Sequence, residues 1–320
     1  MHNSVSVIMT CHNEAEFIEQ AIRSVVGQSA FDFVREIIVV NDGSRDASSS
    51  VLERLCDEIP KLKVIVTDGI GVSAARNLAI EQSQGGYIAF LDGDDFWTSD
   101  KLERQVKILA DSSKVGLVYS DFYDFTQDDL SDAQVISVRS YSADEDKVLE
   151  KYFVHDGPII PSSAMIPRVV FDDVGLLDTE LRVGEDTDLC LRIAERWRFQ
   201  HVPGAFSYKR RHGRNLTHRF DALLPVAIEL TRRFVARNPS LVTLAKKRMA
   251  RRYASVGNNC IAFGERKRAL SFIWKAFKND PLYLKTYVYL GFAILPSWLS
   301  VSLQKYARRF YHEALGRRVA

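Results

Sequence analysis

The chain has 320 residues, 46% of them hydrophobic and 26% charged, which is an ordinary soluble composition with enough apolar content for a core of roughly 200–250 residues and an appended piece. Cys11, Cys56, Cys190 and Cys260 stand far apart with no CxxC pair, which excludes a zinc or disulfide framework and fits a reducing cytosol. The formal net charge of +2 hides an asymmetry: residues 221–320 hold 19 Lys/Arg against 5 Asp/Glu, and residues 1–220 hold 24 against 36.

A basic tail on an acidic body implies two jobs, because basic surfaces attract nucleic acid or anionic lipid headgroups. The N-terminus lacks the basic and apolar regions of a signal peptide and runs straight into a strand-like pattern.

Val5 to Thr10 alternates, is rich in β-branched residues and predicts the first strand. His12-Asn13-Glu14 opens a helix to about Gln28, with Phe17, Ile18, Ala21, Ile22, Val25 and Val26 on one face. Glu36 to Val40 predicts a second strand, ending in the turn Asn41-Asp42-Gly43-Ser44. Ser48 to Ile59 is a helix, Lys63 to Thr67 a third strand, and Gly69-Ile70-Gly71 a turn into a helix over Ser73 to Gln82. Tyr87 to Leu91 is a short apolar run, predicted as a fourth, buried strand. Alternation of this kind with short loops predicts an α/β fold with a mainly parallel sheet covered on both faces.

The turn after the fourth strand, Asp92-Gly93-Asp94-Asp95, carries three carboxylates in four residues. Carboxylates that close repel one another unless a positive charge lies between them. At the C-terminal edge of a parallel strand, a hard divalent cation with positions open to phosphate oxygens supplies that charge. A solvated acidic turn that caps the next helix is the other reading. Thr10 to Glu14, Asp42, the Gly71–Arg76 turn and Asp92–Asp95 all fall at the ends of predicted strands, where a doubly wound sheet collects its ligand. Gly69 and Gly71 follow the third strand and lack a third glycine, which excludes a dinucleotide fingerprint.

Six blocks in order, VSVIMTCHNEAEFIEQAIRSVVGQ, EIIVVNDGSRDAS, GVSAARNLAI, GGYIAFLDGDDFW, VGLLD and GEDTDLCLR, resemble the family 2 glycosyltransferases of GT-A fold. The resemblance covers residues 4 to about 220 and implies a GT-A catalytic domain over 1–220, followed by a basic helical region over 221–320. It implies inverting transfer of a sugar from a nucleotide diphospho-sugar, of which UDP-sugars are the commonest, to a saccharide or lipid-linked acceptor in bacterial surface glycan assembly. It places the nucleotide at Thr10, Asn13, Glu14 and Asp42, and points Arg76 at the diphosphate. Asp94 becomes a ligand of Mg2+ or Mn2+, with Asp92 on the ribose or the metal. His212 is a further metal ligand and Arg210 part of a basic phosphate clamp. Glu185 and Asp186 fall in the Glu-Asp block, with Asp186 as the base that takes the acceptor's proton.

Each assignment has a plainer counterpart. Asp42 also reads as an Asx turn, Glu14 as a helix cap, Arg76 as a surface helix arginine and His212 as a loop histidine among arginines. Glu185, Asp186 and Asp188 also favour the start of a helix through its dipole. A sugar-1-phosphate nucleotidyltransferase would carry a basic, glycine-rich loop where Thr10-Cys11-His12-Asn13-Glu14 stands. A non-catalytic nucleotide-sugar-binding scaffold of a membrane glycan-assembly complex is the reading from another class.

Residues 121–165 are the least patterned; Asp128-Asp129 and Ser142 to Asp146 read as surface loops, and Pro158 to Ser163 returns the chain to the sheet. Beyond Asp221 the pattern is helical, over Leu223–Val235, Leu241–Val256 and Glu265–Phe277, and Tyr253 to Pro281 faintly resembles one tetratricopeptide unit. Thr286 to Gln304 has 19 residues without a charge, interrupted by Gly291 and Pro296 and flanked by Lys285 and Lys305. An in-plane membrane contact, a spanning helix and a buried or dimer helix all fit this stretch. Peripheral contact with the cytoplasmic face of the inner membrane is therefore expected, and a homodimer is possible. Nucleic acid is not, since the basic residues interleave with aliphatic core positions and no recognition module is visible.

Overall fold

The computed structural model describes residues 3–126, 128–155, 157, 159–212 and 220–295, with backbone alone at 220–222. The chain divides into two compact units, one formed by residues 1–148 and 157–213, the other by 149–156 and 214–320.

The first unit is built on a sheet. Strand β1 (Val5–Cys11) is buried at every residue but Thr10. Helix α1 (Ile18–Val26) covers it with Ile18, Ala21, Ile22 and Val25, the i, i+3, i+4, i+7 stripe of an amphipathic helix. Alternation continues through β2 (Val34–Asp42), α2 (Ser48–Glu58), β3 (Leu62–Thr67), α3 (Val72–Gln82) and β4 (Tyr87–Asp92). These four strands lie parallel in the order β3-β2-β1-β4. Strand order reverses at β1, with β2 and β3 to one side and β4 to the other, so a crevice opens at the C-terminal ends there. Register aligns those ends: Thr10 is level with Val40 of β2 and Asp92 of β4.

The remaining elements are β5 (Phe96–Trp97), α4 (Lys101–Asp111), β6 (Val115–Phe125), β7 (Gln134–Ile136), α5 (Val148–His155), β8 (Met165–Pro167), α6 (Arg168–Val174), α7 (Glu185–Arg196) and β9 (Arg198–Arg210). Antiparallel β8 joins β4 to β6, β6 pairs parallel with β9, and β9 pairs antiparallel with β5. Beyond β4 the sheet is thus mixed.

Two features differ from the sequence expectation. Residues 121–125, within the stretch of least pattern, complete β6. Buried Asp121 and Asp124 break its apolar run, and each is satisfied across the sheet: Asp121 lies 3.0 Å from His201 Nε2, and Asp124 accepts from Arg211 Nε at 2.7 Å. The first helix begins at Ile18, not near Asn13. Asn13 is left-handed with φ +58°, and the turn it makes carries Glu14 across the ends of the strands before the helix starts.

The second unit gathers all but the first residue of α5 with α8 (Phe220–Arg237), α9 (Val242–Ala262), α10 (Arg266–Asn279) and α11 (Leu284–Ile294). Helices α9 and α10 form a hairpin that turns at Gly264, where φ is +77°. Gly257 lets them approach, since a Cβ there would lie 3.0 Å from Ile273. Arg248 of α9 is buried and donates to the Phe153 carbonyl at 2.6 Å and to Thr231 Oγ1 at 2.9 Å. Helix α11 ends two residues before Pro296, whose ring disfavours helical geometry in the residue ahead of it. Among the described residues no helix is long and apolar enough to cross a membrane. Residues 296–304 of the uncharged stretch lie outside the described residues.

Candidate active site

The C-terminal edges of β1, β2 and β4 converge as the register requires, and four carboxylates meet there. Asp92 ends β4, Asp94 and Asp95 follow it, and Glu14 enters from the loop after β1. Burial, followed by the charges of Asp94, Asp92 and Asp95, pushes the Glu14 carboxyl well above its usual range. Its Oε2 is buried with no hydrogen-bond partner. Gly93 makes room for it, because a Cβ at that position would stand 2.1 Å from Glu14 Oε2.

Each carboxylate of the turn has its own partner. Asp92 Oδ1 accepts from Arg76 Nη2 at 2.6 Å. Asp94 Oδ2 lies 2.8 Å from His212 Nε2, and the histidine ring stacks on Phe17 with centroids 5.5 Å apart. Burial first, then the Asp92 charge, raises the Asp94 carboxyl, and the His212 contact opposes that. Asp95 points inward: Oδ2 accepts from Ser162 Oγ at 2.6 Å and Oδ1 from the Arg210 backbone N–H at 3.0 Å. Burial and the neighbouring Asp94 and Asp92 hold it well above its usual range. Ser162 also accepts from the Asp92 N–H at 3.2 Å, so one hydroxyl ties down both ends of the turn. No sequence period announces that serine, which lies 67 residues from Asp95.

Arg76, at the inner face of α3, is 5% exposed. Besides Asp92 it donates through Nη1 to Glu185 Oε1 at 2.9 Å. Burial would lower its pKa, but the charges of Asp92 and Glu185 more than reverse that, so the guanidinium is secured as a cation. Glu185 opens α7, where burial and then the Asp186 charge push its carboxyl up to about 7 against the pull of Arg76. Asp186 is half-buried, and its Oδ1 accepts from the Thr187 N–H at 2.6 Å. It borders a small recess of about 30 Å³ whose other walls include Arg76, Leu117, Leu177 and Leu189.

Other candidate residues play visible local parts. Asp42 accepts from Thr67 Oγ1 at 2.7 Å, from the Ile70 N–H at 2.7 Å and from the Gly71 N–H at 2.8 Å. Burial raises its pKa, and these three bonds together outweigh burial and lower it. Thr10 accepts the Gly93 N–H through its carbonyl at 3.1 Å. Asn13 Oδ1 accepts from the Arg45 N–H at 2.7 Å. Arg210 is 5% exposed; it lies between the rings of Phe17 and Phe125, 4.4 and 4.7 Å from their centroids. It donates to Gln20 Oε1 at 2.7 Å, to the Asp94 carbonyl at 3.2 Å and to Asp128. It thus packs beneath the acidic turn.

The structure therefore brings Glu14, Asp92, Asp94, Asp95 and His212 to one corner, and joins that corner to Glu185 and Asp186 through Arg76. Asp94 and His212 offer an oxygen and a nitrogen side by side, with the unsatisfied Glu14 Oε2 among the crowded carboxylates. That donor chemistry fits a divalent cation such as Mg2+ or Mn2+. Among the described residues no group of three His, Cys, Asp or Glu side chains is placed to hold a metal ion.

Parallel strands β3-β2-β1-β4 with a switch point at β1 and an acidic turn at its crevice define an α/β protein that takes its ligand at the C-terminal strand ends. The sequence matches the profile of glycosyl transferase family 2 over residues 6–175, more than half of the chain, and the protein belongs to that family. A glycosyltransferase of Haemophilus influenzae is 37% identical over 112 residues, 35% of this chain and 44% of that protein. TuaG of Bacillus subtilis, a glycosyltransferase named for teichuronic acid biosynthesis, is 37% identical over 110 residues, 34% of this chain and 43% of TuaG. In both, the match spans less than half the relative's length. The crystal structure of S. aureus TarS 1-349 in complex with UDP superposes with a TM-score of 0.59 at 16% identity, covering 87% of this chain and 81% of that one. That likeness shows the shared fold. The chain thus belongs to glycosyl transferase family 2 and has the GT-A fold.

Proposed function

We propose that this glycosyltransferase is inverting, requires Mg2+ or Mn2+, and moves a sugar from a UDP-sugar to a saccharide or lipid-linked saccharide of a bacterial surface glycan. The observation that carries this reading is the linkage Asp94–turn–Asp92–Arg76–Glu185 beside Asp186, which connects the acidic turn after β4 to a half-buried carboxylate at a helix start. Complexes of TarS with UDP and with UDP-GlcNAc support a UDP-sugar donor, and TuaG supports a surface glycan as the product. An acceptor of that kind is met at the cytoplasmic face of the membrane.

In the reaction, Asp186 takes the proton of the acceptor hydroxyl as the acceptor oxygen bonds to the anomeric carbon. The bond from that carbon to the diphosphate oxygen breaks, its electron pair leaves with UDP, and attack from the opposite face inverts the configuration. Asp94 and His212 would hold the divalent cation, whose chemistry there would be to offset charge on the departing diphosphate. Arg76 holds Asp92 and Glu185 in place on either side of the sugar. Thr10, Asn13, Glu14 and Asp42 line the nucleotide end of the crevice.

The test is nucleotide release from a panel of UDP-, GDP- and dTDP-sugars with Mn2+ or Mg2+, with and without detergent-solubilised lipid extract. The reading holds if one UDP-sugar releases UDP, Asp94→Asn loses metal-dependent donor binding, and Asp186→Asn binds donor but does not turn over. Wild-type behaviour in both variants would remove the site assignment.

A further inference from the structure

The second unit carries an apolar surface that nothing described covers. On α10 and α11 and the turn between them, Leu282 is 87% exposed, Leu284 77%, Ile294 70% and Trp274 56%, with Leu270 and Val288 also in the open. The surface is continuous across the two helices: Trp274 stacks on Phe277 at 5.4 Å, and Phe277 meets Tyr287 edge-on at 6.1 Å. Scattered single apolar residues are normal on a protein surface, but a contiguous set of this kind marks an interaction site.

The charge around it selects the occupant. Residues 265–295 carry six basic residues, Arg266, Lys267, Arg268, Lys275, Lys278 and Lys285, against Glu265 and Asp280. Glu265 is already paired with Arg268 at 2.6 Å. Lys278 reaches over the Trp274 ring at 5.4 Å, so basic groups stand at the edge of the aromatic patch itself. Packing this face on a second copy of itself would bring like charges together, and lysine is depleted from the cores of protein interfaces. Trp and Tyr beside apolar side chains with a lysine rim instead match a bilayer surface, where rings sit at headgroup level and basic groups meet anionic headgroups. The sequence beyond continues in kind, with no charge from Thr286 to Gln304 and then Lys305, Arg308 and Arg309.

We propose that the outer face of α10 and α11 docks on an anionic lipid bilayer, in the plane of its surface. This deepens the reading of an acceptor met at the membrane, and it is measured without turnover, so either can fail alone. The test is co-sedimentation of the full chain with vesicles of phosphatidylcholine, or of phosphatidylcholine with about 30% phosphatidylglycerol, across a salt series. Binding to the anionic vesicles at least tenfold stronger than to neutral ones, weakened by salt, is expected. Trp274→Ser with Leu284→Ser and Val288→Ser should lose at least tenfold in binding with an unchanged circular dichroism spectrum, since these side chains are exposed. Lys275→Gln with Lys278→Gln and Lys285→Gln should abolish the preference for anionic vesicles. Vesicle binding equal to wild type in both triple variants would overturn the proposal. So would an absence of vesicle binding together with a dimer that the apolar variant dissociates, which would give the face to a second copy.

Discussion

His212 Nε2 and Asp94 Oδ2 lie 2.8 Å apart although 118 residues separate them in the chain, and Phe17 stacks against the histidine ring to fix its plane. A nitrogen and a carboxylate oxygen held this way can serve together as ligands of a divalent cation. Chelation with EDTA should abolish turnover, and added Mn2+ should restore it. His212→Gln should lower Mn2+ affinity in the presence of UDP, measured by titration calorimetry, by at least the roughly 10–100-fold that loss of even an outer partner costs. Unchanged affinity would exclude His212 as a ligand.

Arg76 faces Asp92 and Glu185 at once and is 5% exposed, so its replacement leaves a nearly buried Glu185 and a partly exposed Asp92 uncompensated. Arg76→Met should cost about 3–5 kcal/mol in urea denaturation. Adding Glu185→Gln removes one of the two stranded charges and should recover part of that loss. A double variant whose cost is the plain sum of the single ones would show that the pair is not coupled.

Strands β1, β2 and β4 are legible in the sequence because each holds an apolar run before a turn and is buried on both faces, whereas β3, half-exposed at the sheet edge, is legible from its β-branched residues. Strands β6 and β9 are not, because they carry buried polar groups such as Asp121, Asp124, His201 and Ser207 that read as loop or surface until their partners are known. Those partners come from far along the chain, as with Asp121 and His201, 80 residues apart. The site divides in the same way. Asp92 and Asp94 stand out from spacing alone, and the resemblance names His212 and Asp186, but the contact of His212 with Asp94 is visible only in three dimensions. The resemblance makes Arg210 part of a basic phosphate clamp; the structure sandwiches its guanidinium between two rings, an arrangement that no periodicity marks.

Lys101 begins α4 fully buried, its Nζ donating to Gln105 Oε1 at 2.7 Å and standing 4.1 Å from the Trp97 ring. Burial pushes its pKa down from 10.5 to about 7. Between those values the unfolded chain holds a proton that the folded one has released, so stability rises with pH across that window. Below pH 7 the full cost of burying the charge is present; above 10.5 no further gain follows. Denaturation midpoints should therefore climb from pH 7 to pH 10 by the equivalent of a few kcal/mol. Lys101→Met should be the more stable protein at pH 7 and should lose that slope.

Asp42 gathers Thr67 Oγ1 and the N–H groups of Ile70 and Gly71 on its two oxygens, so the carboxylate closes the turn that starts α3. In Asp42→Asn the amide oxygen can keep Thr67 and Ile70, but the amide nitrogen then faces the Gly71 N–H, donor against donor. The loss should be about 1–3 kcal/mol. Because the folded pKa of Asp42 is depressed below 3.8, its contribution is complete above that pH and is lost as pH falls through the depressed value. The asparagine variant should lack that acid limb. Thr67→Val removes a donor from the same turn without touching the carboxylate. If UDP affinity falls in both variants together, Asp42 acts by holding the turn. If it falls in Asp42→Asn alone, the carboxylate also meets the nucleotide.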